Sequence, residues 1–240
     1  NPDVHDSLLP GGRLDAAQEL DILVAGCGTG RESIEVAQRF PRARVLAVDL
    51  SMTSLAYAER KAGESGVENV VHAQADITKI GSLGKRFDII YSVGVLHHLA
   101  DPVGGWGNLV SVLKPGGHML VGLYSERGRR DVVDARSFIA ERGYTATSAE
   151  IRRCRQDLMA VQRGGRFSRL ALRADFYVTG ECRDLLFHVQ EHRFTLGDLR
   201  KHIDALGLCF SEFVLSDETA IRYAETHAGL ANPADWERFE

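Results

Sequence analysis

Short apolar runs alternate with longer amphipathic stretches from Asp21 to about Tyr124. Residues 22–25, 44–48, 70–74, 87–93 and 118–124 read as strands. The first, fourth and fifth are nearly continuous apolar runs, the pattern of parallel strands covered on both faces. Helical segments fall between them at about 31–40, 51–65 and 103–113. This βαβ alternation predicts an α/β fold with a doubly wound, mostly parallel sheet.

After Tyr124 the pattern changes. Residues 126–192 carry several Arg-rich amphipathic helices and no convincing strand until late. Gly143 is placed to close one helix, and Thr147-Ser148-Ala149-Glu150 forms a capping box that opens the next. Phe194-Thr195 leads into a helix over 196–206, stopped by Gly207, with a further strand expected over 208–215. Residues 1–20 are polar and turn-rich around Pro10-Gly11-Gly12. The expected division is therefore a linker over 1–20, a nucleotide-binding core over 21–124, a helical insertion over the active site at 125–194, and a helix and strand completing the core at 195–240. An independent domain is the alternative for the insertion, and the strand expected at 208–215 argues against so clean a boundary.

The composition adds exclusions. With 240 residues, 44% hydrophobic and 26% charged, the chain has the make-up of an ordinary soluble globule. A disordered tail, a collagen-like fibre and a disulfide miniprotein are all ruled out. The 29 basic and 33 acidic residues leave a net charge of −4, so no overall basic field invites nucleic acid. No apolar run approaches the roughly 20 residues needed to span a bilayer, and no secretion signal opens the chain. Cys27, Cys154, Cys182 and Cys209 lie far apart without a C-x-x-C pair, so neither a disulfide framework nor a zinc ribbon is expected. A cytoplasmic location fits this usage. The start at Asn1 and the stop at Glu240 in mid-pattern suggest an excised domain.

The most informative stretch is Ile22-Leu23-Val24-Ala25-Gly26-Cys27-Gly28-Thr29-Gly30-Arg31-Glu32-Ser33. A buried strand runs into a G-x-G-x-G turn and then a helix, whose free N–H groups attract anions. Asp49 ends the second strand at about the offset of a ribose-binding carboxylate, and Asp76 lies just beyond the third. Either Asp alone is also compatible with a plain helix cap. The dinucleotide fingerprint G-x-G-x-x-G is incomplete, because its last position holds Arg31 in one register and Ser33 in the other. A cofactor without a pyrophosphate suits the turn better.

As a set, residues 24–30, Asp49, Asp76, the 87–93 strand with Leu96-His97-His98, and Leu113-Lys114-Pro115-Gly116-Gly117 resemble the class I S-adenosylmethionine-dependent methyltransferases. The resemblance covers about residues 20–124. It implies that Gly26, Gly28 and Gly30 line the methionine part of the cofactor. Asp49 would hold the ribose hydroxyls with Leu50 against the adenine, and Asp76 would accept from the adenine amino group with Ile77 beside the ring. Val93 would offer a backbone contact to the methionine ammonium. Arg31 would meet the methionine carboxylate, or be solvated on the first helical turn. S-adenosylmethionine is cationic and carries no phosphate, so strand-end carboxylates suit it where they would repel a pyrophosphate. The family's antiparallel seventh strand is not evident after Leu215.

Methyl transfer to a hydroxyl or ammonium needs a base, and the resemblance places His97 and His98 beside the transferable methyl. His97 is expected to face the pocket while His98 packs inward; the alternative is that both are structural. The run His188-Val189-Gln190-Glu191-His192 has the formal H-x-x-E-H spacing of a zinc peptidase, which would need a different fold around it. No metal is expected. His188 and His192, with Glu191, are instead candidates for the acceptor pocket, against the reading of a solvated helix face. Residues 184–196 together with 122–127 also look like methyltransferase domains that follow tetratricopeptide repeats in longer bacterial proteins. That likeness implies a longer chain whose repeats recruit a substrate. The expected function is methyl transfer from S-adenosylmethionine, yielding S-adenosylhomocysteine, to an oxygen, nitrogen or carbon nucleophile of a small molecule or protein. The rivals are a NAD-type oxidoreductase and a non-catalytic cofactor-binding or docking module.

Overall fold

The computed structural model describes residues 19–162, 167, 169–214, 219, 221 and 223. Most of the linker expected over 1–20, and most of residues 215–240, lie outside them. The chain divides into two compact units, one of residues 1–123 with 196–240 and the other Tyr124–Thr195.

Five strands form the sheet of the first unit: β1 (Asp21–Ala25), β2 (Arg44–Asp49), β3 (Val70–Gln74), β4 (Phe87–Val93) and β5 (Leu113–Gly122). They run parallel in the order β3-β2-β1-β4-β5. Successive residues of β1 serve opposite faces. Ile22 and Val24 pack with Val36 and Ala37 of α1 (Arg31–Arg39), whereas Leu23 and Ala25 pack with Trp106 and Leu109 of α3 (Pro102–Ser111). Two covered faces require apolar side chains at both parities, which explains the unbroken apolar run. The helix α2 (Met52–Glu64) is capped by Ser51, whose hydroxyl accepts from Ser54 N, and α3 by Asp101, which accepts from Gly104 N. The Asn69 amide donates toward the carbonyls of Ala37, Phe40 and Ala43, tying the exit of α1 to the start of β3.

Two expectations about strands need correction. The fifth strand begins at Leu113 and ends at Gly122, because Leu113 pairs with Phe87 and the register slips before Ile89. That slip absorbs Pro115-Gly116-Gly117, and an end position in the sheet tolerates a proline without an N–H. The stretch 208–214 is not a strand. Leu208 N instead bonds back to Ile203 O, closing α7 (Leu196–Ala205), and Gly207 is left-handed at φ 68°. The Phe210 and Phe213 rings then lie 4.8 Å apart. Residues three apart on a strand point to opposite faces, so this ring contact forces a bend.

The second unit has its own core. Val132, Ala135, Phe138 and Ile139 of α4 (Arg130–Arg142) pack with Ile151, Cys154 and Leu158 of α5 (Ser148–Gln162) and with Cys182, Leu185 and Leu186 of α6 (Thr179–Phe187). Gly143 closes α4 at φ 68°, and Thr147 Oγ1 accepts from Glu150 N at the start of α5, as the sequence indicated. Phe194 N donates to Tyr124 O at 2.9 Å and Glu126 N to Phe194 O at 3.0 Å, so the two ends of this unit meet in a short parallel bridge.

Candidate active site

The strand order reverses beside β1, and in such sheets ligands bind outside the carboxyl ends of the strands at that point. Three left-handed glycines follow β1, with φ of 83°, 52° and 90° at Gly26, Gly28 and Gly30. They serve different purposes. A Cβ on Gly26 would collide with the Val95 side chain, and one on Gly30 would lie 2.5 Å from Ala58 Cβ and 2.9 Å from Ala58 Cα. Those two positions are glycine because other parts of the protein press against them. A Cβ on Gly28 would meet nothing within 4 Å. Gly28 is thus the bare stretch of backbone that a ligand can approach.

The strand-end carboxylates are already oriented. Asp49 Oδ2 accepts from Gly28 N and Oδ1 from Ser51 N, each at 2.8 Å. Asp49 therefore joins the glycine turn to the entry of α2, and each of its oxygens keeps a lone pair for a further donor. Next to it Leu50 is 64% exposed, an apolar side chain at the mouth of the site. Asp76 Oδ1 accepts from Thr78 N and Oγ1, capping the 3-10 segment Ile77–Leu83. Those hydrogen bonds hold the Asp76 carboxyl below its ordinary range, so it stays anionic. Ile77 is buried, whereas Val93 at the end of β4 is 43% exposed and leads into the left-handed Gly94. Arg31 lies in solvent, paired with Glu35 at 3.0 Å, which is the second of its two expected placements. The Cys27 thiol is pushed up to about 12 by burial and by the nearby Asp49 charge, and is no nucleophile at neutral pH.

Glu32, in the first turn of α1, was not singled out by the sequence. Burial, reinforced by Glu35, raises its carboxyl to about 7. The folded state thus holds this proton more tightly than the unfolded chain does. The stabilisation is complete below the ordinary glutamate range near 4.5 and is lost as pH rises toward 7. Glu32→Gln is expected to flatten the decline in melting temperature between pH 5 and 7.5 and to melt higher than the parent at pH 8. Circular-dichroism melts across that range check it.

The histidines differ from expectation. His97, assigned to the pocket, is fully buried, whereas His98 is half-buried; the two pack edge to face at 4.3 Å. The 3-10 turn Leu96–His98 causes the swap, since Leu96 and His97 both enter the core. In the second unit, α6 ends at Phe187 and His188 has extended backbone, so the H-x-x-E-H run is not helical. His188 and His192 do not share a helix face. Gln190 links them, its N–H donating to His188 Nδ1 at 3.2 Å and its amide lying 3.3 Å from His192 Nε2. Glu191 is committed elsewhere. Its buried carboxylate accepts from Arg129 and, at 3.1 Å, from Arg136, while the Arg129 guanidinium stacks 3.8 Å from the Tyr124 ring centroid. Among the described residues, no three or more His, Cys, Asp and Glu side chains converge on a metal position. Among them too, no helix is long and apolar enough to cross a membrane.

Residues 22–117 match the family model described as the methyltransferase domain. This stretch is similar to methyltransferase domains. The match spans β1 to the early part of β5, and so includes the glycine turn, Asp49, Asp76 and Val93. An uncharacterized protein of Synechococcus is 36% identical over 202 residues, covering 80% of this chain and 48% of that protein. The trans-aconitate 2-methyltransferase of Deinococcus radiodurans is 38% identical over 105 residues, covering 44% of the chain and 37% of the enzyme. The chain thus spans about half the length of the first relative and less of the second. PKMT2 from Rickettsia typhi shares the fold with a TM-score of 0.71 at 15% identity, over 92% of this chain and 46% of that one. Its complex with AdoHcy superposes with a TM-score of 0.68 at 16% identity, over the same shares. The five-stranded sheet and its helices accordingly have a Rossmann-like arrangement.

Proposed function

We propose that the chain is an S-adenosylmethionine-dependent methyltransferase that binds its cofactor at the carboxyl ends of β1, β2 and β3. The observation that carries this is Gly28, whose open backbone lies beside Asp49, within a matched methyltransferase domain. The residues present fit that cofactor. Asp49 has acceptor capacity left for a ribose diol, Leu50 offers an apolar face to a base, and anionic Asp76 accepts from an amino group. Arg31, the basic side chain that opens α1, is paired with Glu35 in solvent. When bound, the cofactor supplies an electrophilic methyl group on a sulfonium.

The work of the protein is then mainly positioning, because in-line displacement needs orientation more than covalent assistance. Gly26 and Gly30 hold the turn by close packing, and Asp49 fixes its middle through Gly28 N. For an acceptor that must lose a proton, the half-buried His98, just beyond β4, is our candidate base. His97 supports it from the core. His188 and His192 stand as further candidates through their link at Gln190. The acceptor is an oxygen, nitrogen or carbon nucleophile of a small molecule or a protein.

Glycine substitutions separate binding from folding. Gly30→Ala drives a methyl group into the α2 backbone at a left-handed residue and is expected to cost roughly 2–4 kcal/mol of stability. Gly28→Ala meets no protein atom and should cost only about 1 kcal/mol through its positive φ. Its methyl group nevertheless occupies the ligand face, so S-adenosylhomocysteine affinity should fall at least about tenfold. Melting curves and calorimetric titration of the two variants read both effects. Equal affinity in Gly28→Ala and the parent would remove this turn from the site.

A further inference from the structure

A polar chain outside the ligand face ends on the glycine turn. Ser33 Oγ donates to Gly30 O at 3.0 Å and lies 3.0 Å from His72 Nε2, and His72 Nδ1 lies 2.8 Å from Glu59 Oε2. Ser33 is fully buried, so no acyl group can reach its hydroxyl, and this Ser-His-Glu set is not a hydrolytic triad. His72 is likewise almost entirely enclosed, whereas Glu59 is exposed. The three residues come from α1, β3 and α2 and converge on the carbonyl of the N-cap residue of α1. Ala58, the neighbour of Glu59, is the residue packed against Gly30. Helix α2 therefore grips the end of the turn twice, once by contact and once through the relay. In the dinucleotide pattern Ser33 stands where the last glycine would be, and here its side chain has a task.

The hydrogens can be counted. Ser33 has one, and it goes to the Gly30 carbonyl, which can only accept. The Ser33–His72 contact must then be supplied by Nε2–H. The Glu59 carboxylate also only accepts, so Nδ1 carries a hydrogen as well. All three contacts are satisfied together only when both ring nitrogens donate. With one proton removed, Ser33 must choose between His72 and Gly30. Ser33 from α1 and Glu59 from α2 bond to the ring, and in the β2–β3 register Ala47 stands beside His72. Glu32 and Glu35 are the other acidic groups in the first half of α1, and Glu32 titrates near 7.

We propose that Ser33, His72 and Glu59 are positioning residues that fix the Gly30 peptide and make cofactor affinity depend on the protonation of His72. This rests on the cofactor reading given above. Affinity is highest with the ring doubly protonated and falls as pH rises through its ionisation, by about fivefold, the worth of one net hydrogen bond.

The test is calorimetric titration of the 240-residue chain with S-adenosylhomocysteine from pH 5.5 to 8.5, in a Glu32→Gln background that removes the carboxyl raised to about 7. Imidazole 15N spectra are recorded over the same range. The background protein should lose about fivefold in affinity at the midpoint of the His72 ring titration. His72→Gln, which has an amide donor at every pH, should flatten the profile. Glu59→Ala, a change at the exposed end that leaves the core untouched, should move the midpoint to lower pH. A profile common to all three proteins would overturn the relay while leaving the cofactor reading intact. A parent chain that binds no S-adenosylhomocysteine would overturn the cofactor reading itself, and the relay with it.

Discussion

Asp49→Ala is expected to weaken S-adenosylhomocysteine binding by roughly 10²–10⁴-fold. A ribose diol donating two hydrogen bonds to a carboxylate gains about 1.5–3 kcal/mol from each, and every 1.4 kcal/mol is a factor of ten. The variant also loses the acceptor for Gly28 N and Ser51 N. The Ser51 contact is exposed and water can replace it, so the stability loss should stay near 1 kcal/mol. Asp49→Asn keeps one oxygen for Gly28 N and should bind at an intermediate level. Calorimetry read beside a thermal melt separates affinity from folding. Unchanged affinity in Asp49→Ala would place the ribose elsewhere.

In the second unit the largest effect is expected from Glu191→Ala, a loss of roughly 3–5 kcal/mol of stability. Its carboxylate is fully buried, accepting from Arg129 through both oxygens and from Arg136 at 3.1 Å. Removing it strands two cations, one of them almost fully enclosed. Burial pushes the Glu191 carboxyl up, but the Arg129 hydrogen bond and the charges of Arg129, Arg136 and Arg193 together hold it below the ordinary range. Its stabilisation is therefore complete above the ordinary glutamate range and fades as pH falls through the lowered value. Denaturant unfolding at pH 7 should show the full difference between parent and variant, and the gap should narrow in acid. Glu191→Gln keeps the shape and one acceptor and should cost less. A variant as stable as the parent at pH 7 would mean that solvent reaches the arginines.

The sheet was legible because its strands are buried on both faces. Ile22-Leu23-Val24-Ala25 has no other economical use than a central parallel strand, and the turn that follows needs glycine at Gly26 and Gly30 for contacts made far along the chain. Asp49 and Asp76 were readable from their places at strand ends. The histidines were not. Which of His97 and His98 enters the core depends on a single 3-10 turn, whose three residues have no periodicity of their own. The H-x-x-E-H spacing suggested a helix that stops one residue too early, because His188 adopts an extended backbone. Glu191 looked like a pocket residue, yet its partners Arg129 and Arg136 lie more than fifty residues upstream. His72 gave no signal either, since a lone histidine in a strand acquires meaning only when Ser33 and Glu59 are brought beside it. The strand expected over 208–215 does not form over 208–214, where Phe210 and Phe213 bring their rings together instead of taking alternate faces.

The position at which an adenosyl thioether binds tests the proposed cofactor site most directly. A crystal structure of the chain grown with S-adenosylhomocysteine should place its ribose hydroxyls within hydrogen-bond distance of the Asp49 carboxylate, its adenine between Leu50 and Ile77, and its homocysteine along Gly26, Gly28 and Gly30. Density for the ligand anywhere else, with Gly28 still facing open solvent, would contradict it.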